Sequence, residues 1–167
     1  MLFDAGRTVS FDVQETVFRT GDDVRSLYLV IAGEIDLVRH TARGTPLLLA
    51  RAHPGSVLAE ASAYASHYHC DGVANSRSRL KSIPVSVFRD GLNGSPATAQ
   101  AWARHLSHAL QKARMQSEIR SLNTVAERLD AWLADANVLP PKGQIQEVAR
   151  ILGVSREALY RELARRR

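Results

Sequence analysis

The first half of the chain alternates short apolar runs with turns. Between Thr8 and Phe88 the β-branched or leucine-rich runs are TVSF, TVF, SLYLVIAG, IDLVRH, PLLLARA and RLKSIPVSVF. Glycines fall near the turns at intervals of roughly ten residues, at Gly21, Gly33, Gly44 and Gly55. Short strands at this spacing predict a small antiparallel β-roll, a barrel or sandwich of the kind built from hairpins.

The pattern changes after DGLNGSP. Gly94, Ser95 and Pro96 are followed by a long run without proline or glycine, rich in Ala, Leu, Gln and Arg, which predicts one long helix with a Ser-Pro start. A coiled-coil-like seam runs along it: Trp102, Leu106, Ala109 and Ala113. A second apolar side holds Leu110, Met115, Ile119 and Leu122. We expect one side to cover the β-roll and the other to pair with a second copy of the helix; burial of both within one chain is the alternative.

Three shorter helices are predicted next. The first starts near Asn123 or Thr124 and ends before NVLPPKG, whose prolines cannot continue a helix. Its apolar stripe is Val125, Leu129, Trp132 and Leu133. The second has one apolar face, made of Ile145, Val148, Ala149 and Leu152. Gly153 ends it, Val154 can fill the corner, and Ser155 is a good N-cap for the third helix. Two short helices joined by a glycine-containing turn predict a helix-turn-helix unit.

The last helix has a charged outer side. At about 100° per residue, Arg156, Glu157 and Arg161 share an arc with Tyr160 and the small Ala164, while Ala158, Leu159, Glu162 and Leu163 face the other way. Arginine can donate two hydrogen bonds to guanine and glutamate can accept one from cytosine, so we predict that Arg156, Glu157 and Arg161 read bases. The predicted phosphate contacts are Ser155, Tyr160, Lys142, Gln146, Arg165, Arg166 and Arg167. The alternative is a solvated helix with ion pairs such as Glu157 with Arg161.

Composition and charge fit this picture. The 167 residues are 45% hydrophobic and 23% charged, which argues against a wholly disordered chain, and the formal charge of +5 favours an anionic partner such as nucleic acid. The single cysteine, Cys70, excludes an internal disulfide framework and fits a reducing compartment. The start has no secretion-type pattern, and no segment approaches the roughly 18 apolar residues of a membrane span. We therefore expect a cytoplasmic or nucleoid-associated protein without membrane contact.

EVARILGVSREALYREL resembles the helix-turn-helix of the catabolite-activator (CRP/FNR) family, whose recognition helix opens Ser-Arg-Glu and has another Arg four residues after the Glu. The matching residues are Ser155, Arg156, Glu157 and Arg161. FRTGDDVRSLYLVIAGEIDLVRHTARGTPLLLARAHPGSVLAEAS is similar to the family's cyclic-nucleotide-binding-type β-roll. The residues at matching places there are Gly21, Gly33, Gly44, Gly55 and Glu60. The long helix is similar to the family's dimerisation helix, so the resemblance covers nearly the whole chain.

The resemblance implies an α+β protein: a jelly-roll sensor domain of antiparallel strands at 1–94, a dimerisation helix at 95–122 and a helix-turn-helix DNA-binding domain at 123–167. It implies a homodimeric transcription regulator that binds a palindromic double-stranded DNA operator and a small effector. Family members normally continue into a β-hairpin wing, whereas this sequence ends at ELARRR and its NVLPPKG connection is short. We expect the wing to be shortened or missing, through truncation or with the terminal arginines replacing its phosphate contacts.

The effector pocket departs from the family pattern. Members that bind cyclic nucleotides have a Gly-Glu pair for the ribose side, followed about ten residues later by an Arg for the cyclic phosphate and a Ser or Thr. The corresponding residues are Gly55, Ala59, Glu60, Ala61, Cys70 and Asp71. Ala59 replaces the glycine, and Cys70 and Asp71 replace the arginine and serine. A buried phosphate without a cation is destabilised by several kcal/mol, so we expect no cyclic nucleotide, unless a register slip turns Arg77 or Arg79 inward.

Other chemistry is not favoured. On a strand, His67 and His69 would face one way and Cys70 the other, so the three could not close on one metal without a bend; we expect no metal or haem here. The cysteine set of the family's iron-sulfur members is absent, and no catalytic triad, carboxylate pair or phosphate loop indicates an enzyme. Two alternatives to the DNA-binding regulator stay open: a dimeric ligand-sensing or interaction module that has lost DNA binding, and a regulator that still binds a cyclic nucleotide.

Overall fold

The computed structural model describes residues 2–135, 137–141 and 145–166. It divides into two compact units, Met1–Ala103 and Arg104–Arg167, which are described separately below. The division falls inside the long helix. The predicted three-part division, with limits at 94/95 and 122/123, stays a prediction.

The first unit contains two antiparallel four-stranded sheets. The strands are β1 (Arg7–Phe11), β2 (Thr16–Phe18), β3 (Ser26–Ala32), β4 (Ile35–His40), β5 (Pro46–Ala52), β6 (Val57–Leu58), β7 (Asp71–Ala74) and β8 (Ser78–Pro84). One sheet has the order β1-β8-β3-β6 and the other β2-β7-β4-β5. Val30, Ile35, Leu58 and Leu80 fill the core that includes residues of both sheets. The predicted antiparallel β-roll is confirmed.

The glycines mark the turns as predicted. Gly21, Gly33, Gly44 and Gly55 all have positive φ, between 78° and 90°. This left-handed region is strained for residues with a Cβ. At Gly33 the backbone also passes so close to β8 that a Cβ would overlap Ser78 Oγ and the Arg77 carbonyl. Gly33 therefore meets two requirements at once, a left-handed turn and a close backbone approach.

The end of the β-roll differs from the prediction. RLKSIPVSVF was expected to be strand throughout, but β8 ends at Pro84 and a helix, α1 (Val85–Asn93), follows. Phe88 and Leu92 are buried on one side of α1, and Phe88 meets Trp102 edge-on with ring centroids 4.9 Å apart. Tertiary packing of these side chains at helical spacing therefore outweighs the β-propensity of the valines. The short strands β6 and β7 were also not predicted, because neither carries an alternating apolar run.

The long helix α2 (Pro96–Ser121) starts where the Ser-Pro signal placed it. Ser95 Oγ accepts a hydrogen bond from the Thr98 N–H at 3.2 Å and caps the helix. Within the first unit, Trp102 is buried in a cluster with Phe88 and Leu92. In the second unit, Leu106 and Leu110 of α2 are exposed, whereas Ile119 is buried.

The second unit is helical. After the end of α2 it contains α3 (Val125–Ala134), α4 (Ile145–Leu152) and α5 (Arg156–Arg165). A capping box starts α3: Glu127 N–H donates to Thr124 Oγ1 at 3.1 Å, and Thr124 N–H donates to Glu127 Oε2 at 2.9 Å. The buried core consists of Ile119, Leu129, Trp132, Ile145, Val148, Ala149, Leu152 and Leu159. The predicted apolar faces of these helices are therefore confirmed.

Among the described residues, no helix combines the length and the apolar character that crossing a membrane requires.

Candidate functional site

The turn between α4 and α5 fixes the start of the last helix. Gly153 has φ +65°, and Val154 N–H donates to the Ala149 carbonyl at 3.0 Å, which ends α4 in a left-handed cap. Val154 packs against the core of the second unit. Ser155 Oγ accepts from the Ala158 N–H at 3.1 Å and caps α5. The predicted helix end, corner and N-cap are all present.

Two arginines that sequence reasoning did not single out hold the end of α4. Arg128 of α3 donates from Nη1 to the carbonyls of Leu152 and Gly153, each at 3.1 Å. Arg120 of α2 donates to the carbonyls of Ile151 and Arg150, each at 3.2 Å. The last carbonyls of a helix lack partners within it, so these guanidinium groups satisfy them and attach the turn to α2 and α3. Their spacing in the sequence gave no signal of this.

One cap residue gives a testable consequence. Replacing Ser155 by Ala removes the side-chain acceptor for the Ala158 N–H, and we expect the free energy of unfolding of the second unit to fall by about 1 kcal/mol. Chemical denaturation followed by circular dichroism measures it.

The matched control for that change is Ser117→Ala. Ser117 is exposed within α2, where alanine is the better helix former, so we expect this variant to change the same free energy by less than about 0.5 kcal/mol. Equal losses in both variants would show that the cap does not stabilise α5.

The outer side of α5 carries the predicted base-reading set. Arg156, Glu157 and Arg161 are exposed, while Leu159 and Glu162 are buried on the inner side. The backbone N–H of Glu157 itself, followed by the Ser155 side chain, keeps the pKa of Glu157 below its usual value. At neutral pH Glu157 is therefore an ionised acceptor and the arginines are donors, the protonation states that base recognition needs.

The residues predicted to contact phosphates differ in exposure and in the partners that they already have. Gln146 is exposed on α4, and Ser155 already serves as the cap of α5. Tyr160 is half-buried and therefore lies only partly on the outer arc of α5. The guanidinium carbon of Arg156 lies 5.5 Å from the centroid of the Tyr160 ring. Arg165 and Arg166 are both bound to Glu162. Lys142 and Arg167 lie outside the described residues.

The charge of the chain is concentrated in the second unit. Residues 104–167 contain twelve Lys and Arg against seven Asp and Glu, whereas residues 1–103 contain ten of each kind. The formal charge of +5 therefore belongs to the unit that carries α5.

Apolar side chains are exposed along α2 in the second unit. Leu110 is 52% exposed and Leu106 is also exposed. Ala109 and Ala113, which share the predicted seam with Leu106, are exposed as well. Leucines among alanines on one side of a helix allow a second helix to approach closely.

The residues predicted to form a degenerate effector pocket include no arginine where the resemblance to the CRP/FNR family implies one. Ala59 is buried and has φ +62°, a conformation that favours the glycine it replaces. Glu60 begins the short 3-10 turn Glu60–Ser62, and Gly55 lies at the preceding β-turn with φ +90°. Ala61 is exposed. The predicted effector residues thus surround the 3-10 turn and the start of β7.

The two substituted residues supply no cation: Cys70 is a buried neutral thiol and Asp71 is a carboxylate. Cys70 is 2% exposed; burial, with Glu60 and Asp71 nearby, raises the pKa of its thiol to about 11. Asp71 accepts from the Thr20 N–H at 2.7 Å, and its second oxygen lies 3.2 Å from His40 Nδ1. The cation that affects the Cys70 thiol is Arg39, which donates two hydrogen bonds to the His69 carbonyl. Arg77 and Arg79 are exposed, so the register slip that would turn one of them inward is not observed.

The histidines before Cys70 precede β7 and do not lie on a strand, unlike the geometry considered from the sequence. His67 forms only an isolated antiparallel bridge with Asp23. His69 Nδ1 lies 3.0 Å from Ser62 Oγ, and the Cys70 side chain is buried while both histidines are exposed. Within the described ranges, no group of three or more His, Cys, Asp or Glu residues is arranged to hold a metal ion.

A β-roll of two antiparallel sheets followed by a long helix and short helices defines a protein of the cyclic-nucleotide-binding jelly-roll class. Residues 8–95, more than half of the chain, match the family described as Cyclic nucleotide-binding domain, and the chain belongs to this family. No curated protein sequence matches the chain.

Solved structures extend the likeness to nearly the full chain. Catabolite Activator Protein of Thermus thermophilus is 25% identical with a TM-score of 0.61, covering 98% of this chain and 79% of that one. FixK2 of Bradyrhizobium japonicum is 15% identical with a TM-score of 0.76, covering 96% and 84%. The c-di-GMP responsive global regulator CLP of Xanthomonas campestris is 23% identical with a TM-score of 0.66, covering 98% and 87%. The predicted resemblance to the CRP/FNR family is confirmed.

Proposed function

We propose that this chain is a DNA-binding transcription regulator of the CRP/FNR type, and that α4, its turn and α5 form the helix-turn-helix. The observation that carries the proposal is the outer side of α5, where Arg156, Glu157 and Arg161 are exposed beside a capped helix start. A helix with this arrangement can enter the major groove with its first turns against base edges. Such a regulator works where the DNA is, which agrees with the cytoplasmic location expected from the sequence.

The chemistry of these three side chains suits sequence recognition. Each arginine can donate two hydrogen bonds to O6 and N7 of guanine, and the ionised Glu157 can accept from N4 of cytosine. The net charge of the second unit attracts phosphates without regard to sequence. Affinity and specificity would therefore come from different residues of one unit.

A homodimer would present two such helices. Pairing with a second copy is supported by the exposed seam residues Leu106, Ala109 and Ala113 of α2 and by the exposed Leu110 beside them, because exposed apolar side chains are stabilised by burial against each other. Two-fold symmetry would place the recognition helices about 34 Å apart, matching palindromic half-sites one helical turn apart. The operator would then be a palindrome.

The effector of this regulator would not be a cyclic nucleotide. Cys70 is a neutral thiol at neutral pH, and Asp71 and Glu60 are carboxylates near it, so a phosphate would meet repulsion. The Xanthomonas relative is c-di-GMP responsive, but a cyclic dinucleotide carries two phosphates and would meet the same obstacle. We propose a small effector without a phosphate group.

Cyclic nucleotides are expected to leave the thermal stability of the protein almost unchanged. A ligand at 100 times its dissociation constant stabilises a protein by about 2.7 kcal/mol, which raises the melting temperature by several degrees. We expect millimolar cyclic AMP, cyclic GMP or cyclic di-GMP to raise the melting temperature by less than about 1 °C.

Glu60→Gln is the control for specific binding at the pocket. A rise of several degrees in the wild-type protein that disappears in this variant would show that the pocket holds a cyclic nucleotide after all, with Glu60 as one of its contacts.

The proposed DNA binding is tested by selection from a random-sequence duplex pool at several salt concentrations. We expect an enriched palindrome, and binding that weakens steeply with salt because phosphate contacts release counterions. A protein that retains no DNA even at low salt would instead be the sensing or interaction module that has lost DNA binding.

A further inference from the structure

A carboxylate lies on the inner side of the proposed recognition helix. The Glu162 side chain is 9% exposed and follows the fully buried Leu159 by one turn of α5. Burial removes water from a charged group and destabilises it unless cations with good hydrogen-bond geometry replace that water. The position therefore requires a cation, and the structure supplies two.

Both cations come from the end of the same helix. Arg165 donates to Glu162 from Nε and Nη2, each at 3.1 Å, and Arg166 donates from Nε at 2.6 Å. Hydrogen bonding from Arg166, and then from Arg165, keeps the pKa of Glu162 below its usual value. The carboxylate is therefore ionised at neutral pH and holds both arginines.

Arg166 continues beyond α5, whereas Arg165 points to solvent. Arg166 Nη1 donates to Asp130 Oδ1 at 2.5 Å, and Nη2 donates to the Ala126 carbonyl at 3.1 Å, both on α3. The Arg165 side chain is 71% exposed. The Arg166 guanidinium thus holds Glu162 of α5 through Nε and reaches α3 through Nη1 and Nη2, while the neighbouring Arg165 stays available to a solvent-side partner.

Hydrogen bonds join α3 to the chain near each end of α5. At the start, Arg128 of α3 holds the carbonyls of Leu152 and Gly153 just before the helix. At the end, Arg166, which directly follows α5, donates to Asp130 of α3. The angle between the two helices is therefore fixed at two points, as well as by the apolar core.

We propose that Arg166 is a positioning residue for base reading: it contacts no DNA and sets the angle of α5 through Glu162 and Asp130. This inference rests on the proposed function. It differs from the prediction made from the sequence, in which Arg166 was a phosphate contact, because all three of its nitrogens are already bound within the protein.

Loss of the Arg166 contact is expected to displace Arg161 more than Arg156. Without Arg166 the helix stays held near Ser155, and Arg161 lies six residues, or about 9 Å, along the helix from that point. A tilt of about 10° would then move Arg161 by about 1.5 Å, more than the range of donor–acceptor distances that a hydrogen bond tolerates. Arg156, next to the fixed end, would move by only a few tenths of an ångström.

The test compares Arg166→Ala with Arg165→Ala on an operator selected by the wild-type protein and on a scrambled duplex. We expect R166A to lower operator affinity by about 10-fold and scrambled-duplex affinity by less than about 2-fold, with the lost discrimination at the base pair that Arg161 reads. We expect R165A to weaken both duplexes alike and to reduce the salt slope by about one.

Asp130→Asn is a second, milder variant that tests the same contact in case R166A folds poorly. Asp130 is 64% exposed, and its loss leaves the Arg166 contact with Glu162 in place. We expect D130N to shift discrimination in the same direction as R166A by a smaller factor, and the double variant to match R166A, because both act through one contact. All binding is measured well below the melting temperature of each variant.

The outcomes separate the two proposals. If R166A weakens operator and scrambled duplexes by the same factor, Arg166 is a phosphate contact and the positioning role is wrong, although the proposed function stands. If the wild-type protein retains no DNA at any salt concentration, the proposed function itself has failed and the positioning role fails with it.

Discussion

Replacing Arg156 by Ala is expected to lower affinity for the selected operator by at least about 30-fold while leaving affinity for random DNA within about 3-fold. Arg156 is exposed at the first turn of α5 and can donate two hydrogen bonds to one guanine. A bidentate contact of this kind discriminates by about 1 to 3 kcal/mol per site, and a dimer uses two of them. Fluorescence anisotropy at fixed salt on both duplexes measures the ratio.

The matched control is Arg104→Ala. Arg104 is exposed on α2 in the same unit, so this variant loses the same charge without touching α5. We expect its operator-to-random ratio to equal that of the wild-type protein. Equal ratios for R156A and the wild-type protein would mean that Arg156 contributes charge only, and the assignment of base reading to this residue would be wrong.

Replacing Leu110 by Glu is expected to make the protein monomeric and to lower operator affinity by at least about 100-fold, because a palindrome binds two recognition helices at once. Leu110 is 52% exposed in the single chain and is among the most exposed leucines of the structure. A carboxylate at a helix–helix contact would lose water without gaining a cation. Light scattering gives the mass, and anisotropy gives the affinity.

Gln111→Glu is the control for the Leu110 change, since it adds the same charge one position along, about 100° around the helix. We expect Q111E to remain dimeric. A wild-type protein that is monomeric at micromolar concentration, or an L110E variant that stays dimeric, would exclude the exposed apolar side of α2 around Leu106 and Leu110 as the dimer contact.

The features that depend on residues close together in the chain were predictable from the sequence. The positive φ of Gly33, the Ser155 cap and the buried stripe of α4 each follow from residues close together in the chain. The exposed arc of Arg156, Glu157 and Arg161 follows equally, because helical periodicity alone decides which side chains share a side.

Features that depend on packing between distant segments were not predictable. Valines and a phenylalanine after Pro84 have strand propensity, yet Val85–Asn93 is helical and packs Phe88 against the distant Trp102. Likewise Arg166 and Asp130 are separated by 36 positions, and their contact depends on the angle between α3 and α5. Periodicity placed Glu162 on the inner side correctly, but could not show that Arg166 follows it there.

The most direct test of the central claim is a loss-of-contact measurement. Every base pair of the selected operator is changed in turn, and the affinities of the wild-type protein and R156A are compared at each change. We predict that the wild-type protein discriminates at one base pair per half-site where R156A does not, and that the two agree elsewhere. If R156A keeps the full wild-type pattern of preferences, α5 does not read DNA through Arg156, and the account is contradicted.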